Sequence, residues 1–186
     1  INGRKMGKSY NNVIKLTELF SGDHPLLEKA FHPMTIRFFI LQTHYRSTLD
    51  FSNEALQAAE KGLKRLWEAY ETLNGFVQDN QQPAPDTNID KDLDEKVKKL
   101  VNEFDENMND DFNTAKVLAS MFELVPIINS IKDKTIALTE LSKETLTLLK
   151  AKFKNYIEDV FGLKPLNDAD NSRLQGIMQL LVDIRK

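Results

Sequence analysis

SNEALQAAEKGLKRLWEAYETLNG (residues 52–75) carries apolar side chains at Leu56, Ala59, Leu63, Leu66, Tyr70 and Leu73, in steps of 3, 4, 3, 4 and 3. That spacing places all six on one face of a helix, a seam that only another helix can cover. Trp67 widens the seam. Ser52 suits the N-cap, because its hydroxyl can accept a bond from a first-turn N–H. Asn74-Gly75 supplies the stop.

Downstream, DNQQPAPDTNID (79–90) holds two prolines and no large apolar residue before Ile89, which predicts a surface linker. A second helix places Leu93, Val97, Leu100, Val101, Phe104 and Met108 on one face. After the turn NDDFN a third helix follows, with Val117, Leu118, Met121, Phe122, Val125 and Ile128 inward and Thr114 or Asn113 as its cap. Pro126 lies inside it and is expected to kink or split it, because proline lacks the N–H and clashes with the preceding turn. A fourth runs from about Ser142 to Phe161, with Leu146, Leu149, Phe153, Ile157 and Phe161 inward and Gly162 as its stop. Asp168 or Asp170 caps a last helix with Leu174, Ile177, Met178, Leu181 and Ile184 inward.

Upstream, Pro33 opens a helix through Ile36, Phe38, Phe39, Ile40 and Leu41, apolar nearly all round and so expected to be buried, ending near His44. Short helical turns are expected at Leu16–Phe20, closed by Ser21-Gly22, and at Leu26–Phe31, opened by Pro25. Residues 1 to 16 read as loop. No segment alternates with period two, so the fold class is all-α: an antiparallel helical bundle behind a short irregular N-terminal segment.

The 186 residues suffice for one ordinary domain or two small helical ones. With 41% hydrophobic and 28% charged residues the composition is that of a soluble globular chain. The apolar runs are short, so no membrane span is expected. There is no cysteine, which excludes disulfides and thiolate zinc sites and fits a cytosolic protein. His24, His32 and His44 lack the spacing of a metal site and read as capping or surface residues. Ile1 starts mid-phrase and the periodicity still runs at Lys186, so a piece of a longer protein is expected.

Net charge is −3, low for a free-standing nucleic-acid binder. The distribution is uneven. Residues 1–20 carry Arg4, Lys5, Lys8 and Lys15 against Glu18, while 103–111 carry five acids and no cation. A basic front on an acidic chain points to a local anion site. In NGRKMGKSYNN (2–12) a phosphate-wrapping P-loop fails, because the motif needs a glycine separated from Gly7 by four residues, and that position is Asn2. A solvated basic tail is the competing account. In the acidic stretch Asp105, Asn107, Asn109 and Asp111 alternate as in a calcium loop, but Asp110 and Lys116 stand where glycine and glutamate are needed. Helix capping accounts for that turn better.

KMGKS (5–9) resembles the Lys-Met-Ser-Lys-Ser loop of class I aminoacyl-tRNA synthetases, with Gly7 for the middle serine. RFFILQTHYRSTLDFSNEAL (37–56) is similar to the stretch that follows this loop in cysteinyl-tRNA synthetases. MNDDFNTA (108–115) resembles that family's Asp-Asp-Phe-Asn-Thr turn, with Ala115 where proline is common. IMQLLVDIRK (177–186) resembles the start of its last helical segment. Four landmarks stand in family order, so the chain resembles the C-terminal part of a cysteinyl-tRNA synthetase.

The resemblance implies a cytoplasmic enzyme that makes cysteinyl adenylate from ATP, with Mg, and passes cysteine to its tRNA. It implies that Lys8 and Lys5 meet the triphosphate charge as pyrophosphate leaves, within a phosphate-binding loop of Lys5, Met6, Gly7, Lys8 and Ser9. The zinc and the nucleotide-binding sheet would lie in the parent's upstream catalytic domain, so the segment is expected to be inactive alone and to hold no metal. Arg37, His44, Tyr45, Arg46, Lys61, Lys64 and Arg65 would face tRNA; ordinary ion pairs and a solvated helix face are the competing account. The expected organisation is a signature-loop segment at 1–31, first bundle helices at 32–78, a linker at 79–90, the remaining bundle at 91–165 and the start of an anticodon-binding region at 166–186. A monomer is expected, with tRNA and the parent's own catalytic domain as partners. The alternative is a non-catalytic helical protein-interaction module that uses the Leu56–Leu73 seam, with residues 1–16 as a basic tail.

Overall fold

The computed structural model describes residues 1, 3–76 and 88–166. The expected last helix, including IMQLLVDIRK, and most of the expected linker lie outside the described residues. Among the described residues there are six α-helices: α1 (Leu16–Ser21), α2 (Pro33–Leu41), α3 (Asn53–Gly75), α4 (Lys91–Asn109), α5 (Thr114–Lys132) and α6 (Lys143–Lys154). Short 3-10 turns occupy Lys8–Tyr10 and Leu138–Glu140. Among the described residues there is no strand.

Side chains start the long helices as their residue types predict. Ser52, Asp90, Asn113 and Ser142 each accept a first-turn backbone N–H, which relieves a donor that has no partner within its own helix. Asn113 is thus the cap of α5. The Thr114 hydroxyl instead donates to the Leu41 carbonyl at the end of α2 (2.7 Å).

Cross-helix bonds give the topology. Glu103 of α4 accepts from Ser120 of α5 across a short turn, which makes α4 and α5 an antiparallel hairpin. Tyr70 of α3 meets Glu158, and the Phe76 carbonyl meets Lys150, so α3 and α6 are antiparallel. Asp94 meets Ser142 and Asp105 meets Tyr156, so α4 and α6 run parallel. Successive helices from α3 to α6 therefore alternate in direction. The neighbouring pairs are α3–α5, α5–α4, α4–α6 and α6–α3, which leaves α3 and α4 on a diagonal.

Leu56, Ala59, Leu63, Leu66, Tyr70 and Leu73 are all buried. α3 meets α2, α5 and α6, and in the centre Phe104 meets Tyr156 edge to face and Phe153 at a tilt. α5 is long and apolar enough to cross a membrane by length and composition alone, yet half of that stretch is buried within the bundle, as in a core helix.

Four local expectations are corrected. Residues 26–31 form no helix; the His24 ring accepts the Leu26 N–H, Asn53 holds Leu26 O and Glu28 N, and Phe31 N–H returns to Leu19 O. These bonds draw the segment out as a loop across the start of α3. α2 ends at Leu41, not near His44, and Ile40 is about half exposed, so only one side of α2 is buried. Pro126 does not split α5, which runs from Thr114 to Lys132 with the proline on its exposed face. Asn74-Gly75 does stop α3, though without a left-handed cap: Gly75 is the last helical residue and Phe76 follows in extended geometry. Finally, the last turn of the Ser142–Phe161 helix widens to a π-helix over Asn155–Val160 before Gly162 turns the chain at φ +58°.

Candidate functional site

The signature loop is exposed and closed at its base by one side chain. Asn12 Oδ1 accepts the Gly7 N–H (2.9 Å) and its Nδ2 donates to the Lys5 carbonyl (3.0 Å). Inside that clamp Lys8–Tyr10 make one 3-10 turn, and Asn11 closes it in the left-handed region. A Cβ on Gly7 would stand 3.2 Å from the Tyr10 ring, so serine here would push an exposed tyrosine by a few tenths of an ångström.

Charge in the loop is unspent. Lys15 pairs with Glu18 (3.8 Å), but Arg4, Lys5 and Lys8 have no carboxylate within ion-pair distance among the described residues. Arg4 and Lys5 line a cleft of about 780 Å3 together with Tyr10 and Asn12. Lys8 lines a second cleft, of about 550 Å3, with His24 and Pro25. Asn11 and Leu26 border both clefts. Three cations on one exposed, clamped loop can gather an extended polyanion. The Asn12 clamp was missed from sequence; the second asparagine of "YNN" was its only signal.

The other sequence candidates lie elsewhere. Arg37 Nη1 donates to the Gly162 carbonyl (3.3 Å) and its guanidinium covers that glycine, joining α2 to the end of the π-turn. Lys61, Lys64 and Arg65 are exposed on α3. Lys64 is 4.0 Å from Glu68, while Lys61 and Arg65 have no partner among the described residues. This leaves a partly diluted basic face.

His44, Tyr45 and Arg46 converge on one carboxylate. The Tyr45 hydroxyl donates to Asp111 Oδ1 (2.7 Å). Arg46 reaches the two oxygens through Nη2 (3.2 Å) and Nε (3.1 Å), and His44 Nε2 is 3.6 Å away. The His44 ring stacks on Tyr45, and Arg46 lies over the other part of the cluster, 5.5 Å from the Tyr45 centroid. The HYR and DDFN stretches, 65 residues apart, thus meet in space. Asp111 and Phe112 are both left-handed, at φ +60° and +53°, a strained conformation for a bulky residue. Phe112 points outward and is 69% exposed.

The acidic run is largely consumed by such fastenings. Besides Asp111, Glu103 holds Ser120, Asp105 holds Lys152 and Tyr156, and Asp110 holds Lys116. The alternating positions that resemble a calcium loop therefore diverge. Asp105 is pulled below the usual carboxylate range by the Lys152 ammonium, with help from Tyr156, against some desolvation. Burial and the Asp105 hydrogen bond push the Tyr156 phenol up.

Asp94, an acid in the first turn of α4 that the sequence reading passed over, is buried. Burial alone would raise its pKa. Bonds from Lys98, Thr145 and both the N–H and hydroxyl of Ser142 outweigh that and hold it at about 2. Its signal in the sequence was position: an acid among Leu93 and Val97 on the covered face.

Residues 1–61 match the sequence model of the class I (C) tRNA synthetase catalytic domain, and residues 103–167 match that of the DALR domain. The whole chain is 46% identical to the cysteine–tRNA ligase of Parabacteroides distasonis and covers 36% of it. It is 49% identical to that of Bacteroides thetaiotaomicron over 93% of the chain and 33% of the relative. It is 35% identical to that of Chlorobium chlorochromatii over its whole length, 35% of the relative. The chain thus spans about a third of the length of these curated relatives.

Proposed function

Because the chain belongs to the cysteinyl-tRNA synthetase family, we propose that it is a segment of a cysteine–tRNA ligase, the part that carries the pyrophosphate-side loop and a tRNA-facing helical bundle. The parent would act in the cytoplasm as a monomer. It would join cysteine to ATP as an adenylate and then pass it to the terminal ribose of tRNA. Lys8 is the principal catalytic residue and Lys5 its partner. The observation that carries this is the cluster of unpaired cations, Arg4, Lys5 and Lys8, on a loop clamped by Asn12 beside two open clefts.

The chemistry follows from where charge develops. As the carboxylate attacks the α-phosphorus, negative charge builds on the departing β- and γ-phosphates, which reach this loop with their Mg. A lysine placed there stabilises the transition state more than bound ATP, by about 3–4 kcal/mol on the scale of one oxyanion donor. The Gly7 backbone needs no side chain for this role, and the Ser9 hydroxyl is free to bond a phosphate oxygen. Zinc belongs to the family's upstream part. The residues present do not fit it: there is no cysteine, and among the described residues no three His, Asp or Glu side chains gather. No step here depends on zinc.

The interaction-module alternative is weakened by one fact. The Leu56–Leu73 seam it would use is buried inside the bundle. The test is cysteine-dependent ATP–pyrophosphate exchange by the full-length protein, wild type and Lys8→Ala. A loss of about 100- to 1000-fold in the variant is expected. No exchange with any amino acid in the wild type would end the proposal.

A further inference from the structure

We propose that Asp111 is a positioning residue, a latch that sets the helical bundle in register with the catalytic part. Asp111 lies in the segment that matches the DALR domain; His44, Tyr45 and Arg46 lie in the segment that matches the catalytic domain. One carboxylate gathers all three side chains. The Thr114–Leu41 bond, three residues further on at the start of α5, fastens the same two segments.

The geometry is built for that purpose. An isolated exposed ion pair contributes little, but several donors on one acceptor form a network that holds a geometry. The carboxylate can reach those donors because residues 111 and 112 are both left-handed, a conformation the turn must be made to keep. Phe112 N–H bonds back to Met108 O, and Asn113 N–H to Asn107 O, so both sides of the turn are held by α4. Arg46 is therefore committed to Asp111, and its role is internal alignment.

This inference rests on the reading that the bundle faces tRNA while the loop serves adenylation. The latch joins the two, so its loss should be felt when tRNA must reach the adenylate, and not before. A misplacement of about 1 Å between the parts suffices for a hundredfold effect.

The experiment uses the full-length protein as wild type, Asp111→Asn, Arg46→Met and the double variant. It compares cysteine-dependent ATP–pyrophosphate exchange with tRNA charging. Expected are unchanged exchange, a ten- to hundredfold fall in kcat/KM for tRNA carried by KM, and a double variant no worse than either single one. Hydrogen–deuterium exchange should speed up in residues 42–50 alone. Unchanged charging in Asp111→Asn, or exchange and charging falling together, would overturn the latch. Absence of exchange in the wild type would instead overturn the ligase reading, and 42–50 exchange rates unaffected by Asp111→Asn would then still refute the latch.

Discussion

Replacing Asp94 by asparagine keeps the shape and one of the two acceptor oxygens but removes the charge. In the folded chain Asp94 titrates at about 2, against about 3.9 in an unfolded chain. A depressed carboxylate stabilises the fold above the unfolded pKa and loses that stabilisation as pH falls through the folded one. The difference of nearly two units corresponds to about 2–3 kcal/mol at pH 7 and roughly half of that at pH 3. It vanishes below about pH 2. The side chain is 7% exposed, so solvent screening does not erode the figure. Urea denaturation followed by circular dichroism at pH 7, 4 and 3 should show Asp94→Asn less stable by that amount at pH 7. The gap should close by about half at pH 3. A gap that stays constant with pH would refute the reasoning, since the cost would then come from shape or packing.

Phe104→Ala should cost about 3–5 kcal/mol in the same assay, because Phe104 is fully buried between Phe153 and Tyr156. Gly22→Ala should cost at least about 1–2 kcal/mol, since Gly22 sits at φ +76° and a Cβ would lie 2.5 Å from the Ala30 backbone nitrogen; faster proteolysis of residues 15–31 would report it. Asn12→Ala opens the clamp without touching a cation and should raise KM for ATP in pyrophosphate exchange, with the melting temperature within a few degrees of wild type. An unchanged KM would show that the loop is ordered by its ligand alone. Lys8→Arg keeps the charge and should retain more exchange activity than Lys8→Ala.

Most of the fold was legible because burial is periodic. The seam of α3 repeats at 3 and 4 and is covered throughout. The π-turn was legible too, and went unread. Leu149, Phe153, Ile157 and Phe161 are spaced by 4, 4 and 4, yet all four are buried. Over those twelve residues a regular helix of 3.6 residues per turn would drift by about 120°, so the helix had to widen to keep them on one face. Residues 26–31 misled because their backbone bonds go partly to Asn53 and Leu19, partners that no local window contains. Among the site residues, the loop was legible from its cations. The Asp111 cluster was not, because the sign of φ at Asp111 and Phe112 is set by the α4–α5 turn as a whole.

The diagonal placement of α3 has a practical consequence. Besides α2, α3 packs against α5 and α6, both of which come after the stretch that joins it to α4. A break between Phe76 and Asn88 would leave two polypeptides, each with a bare face whose complement is the other. Such halves are suited to fragment complementation: expressed apart they would be soluble only poorly, and mixed they would reassemble as a noncovalent pair. Recovery of the whole would then follow the product of their concentrations, which turns an intramolecular core into a measurable association between two genes' products.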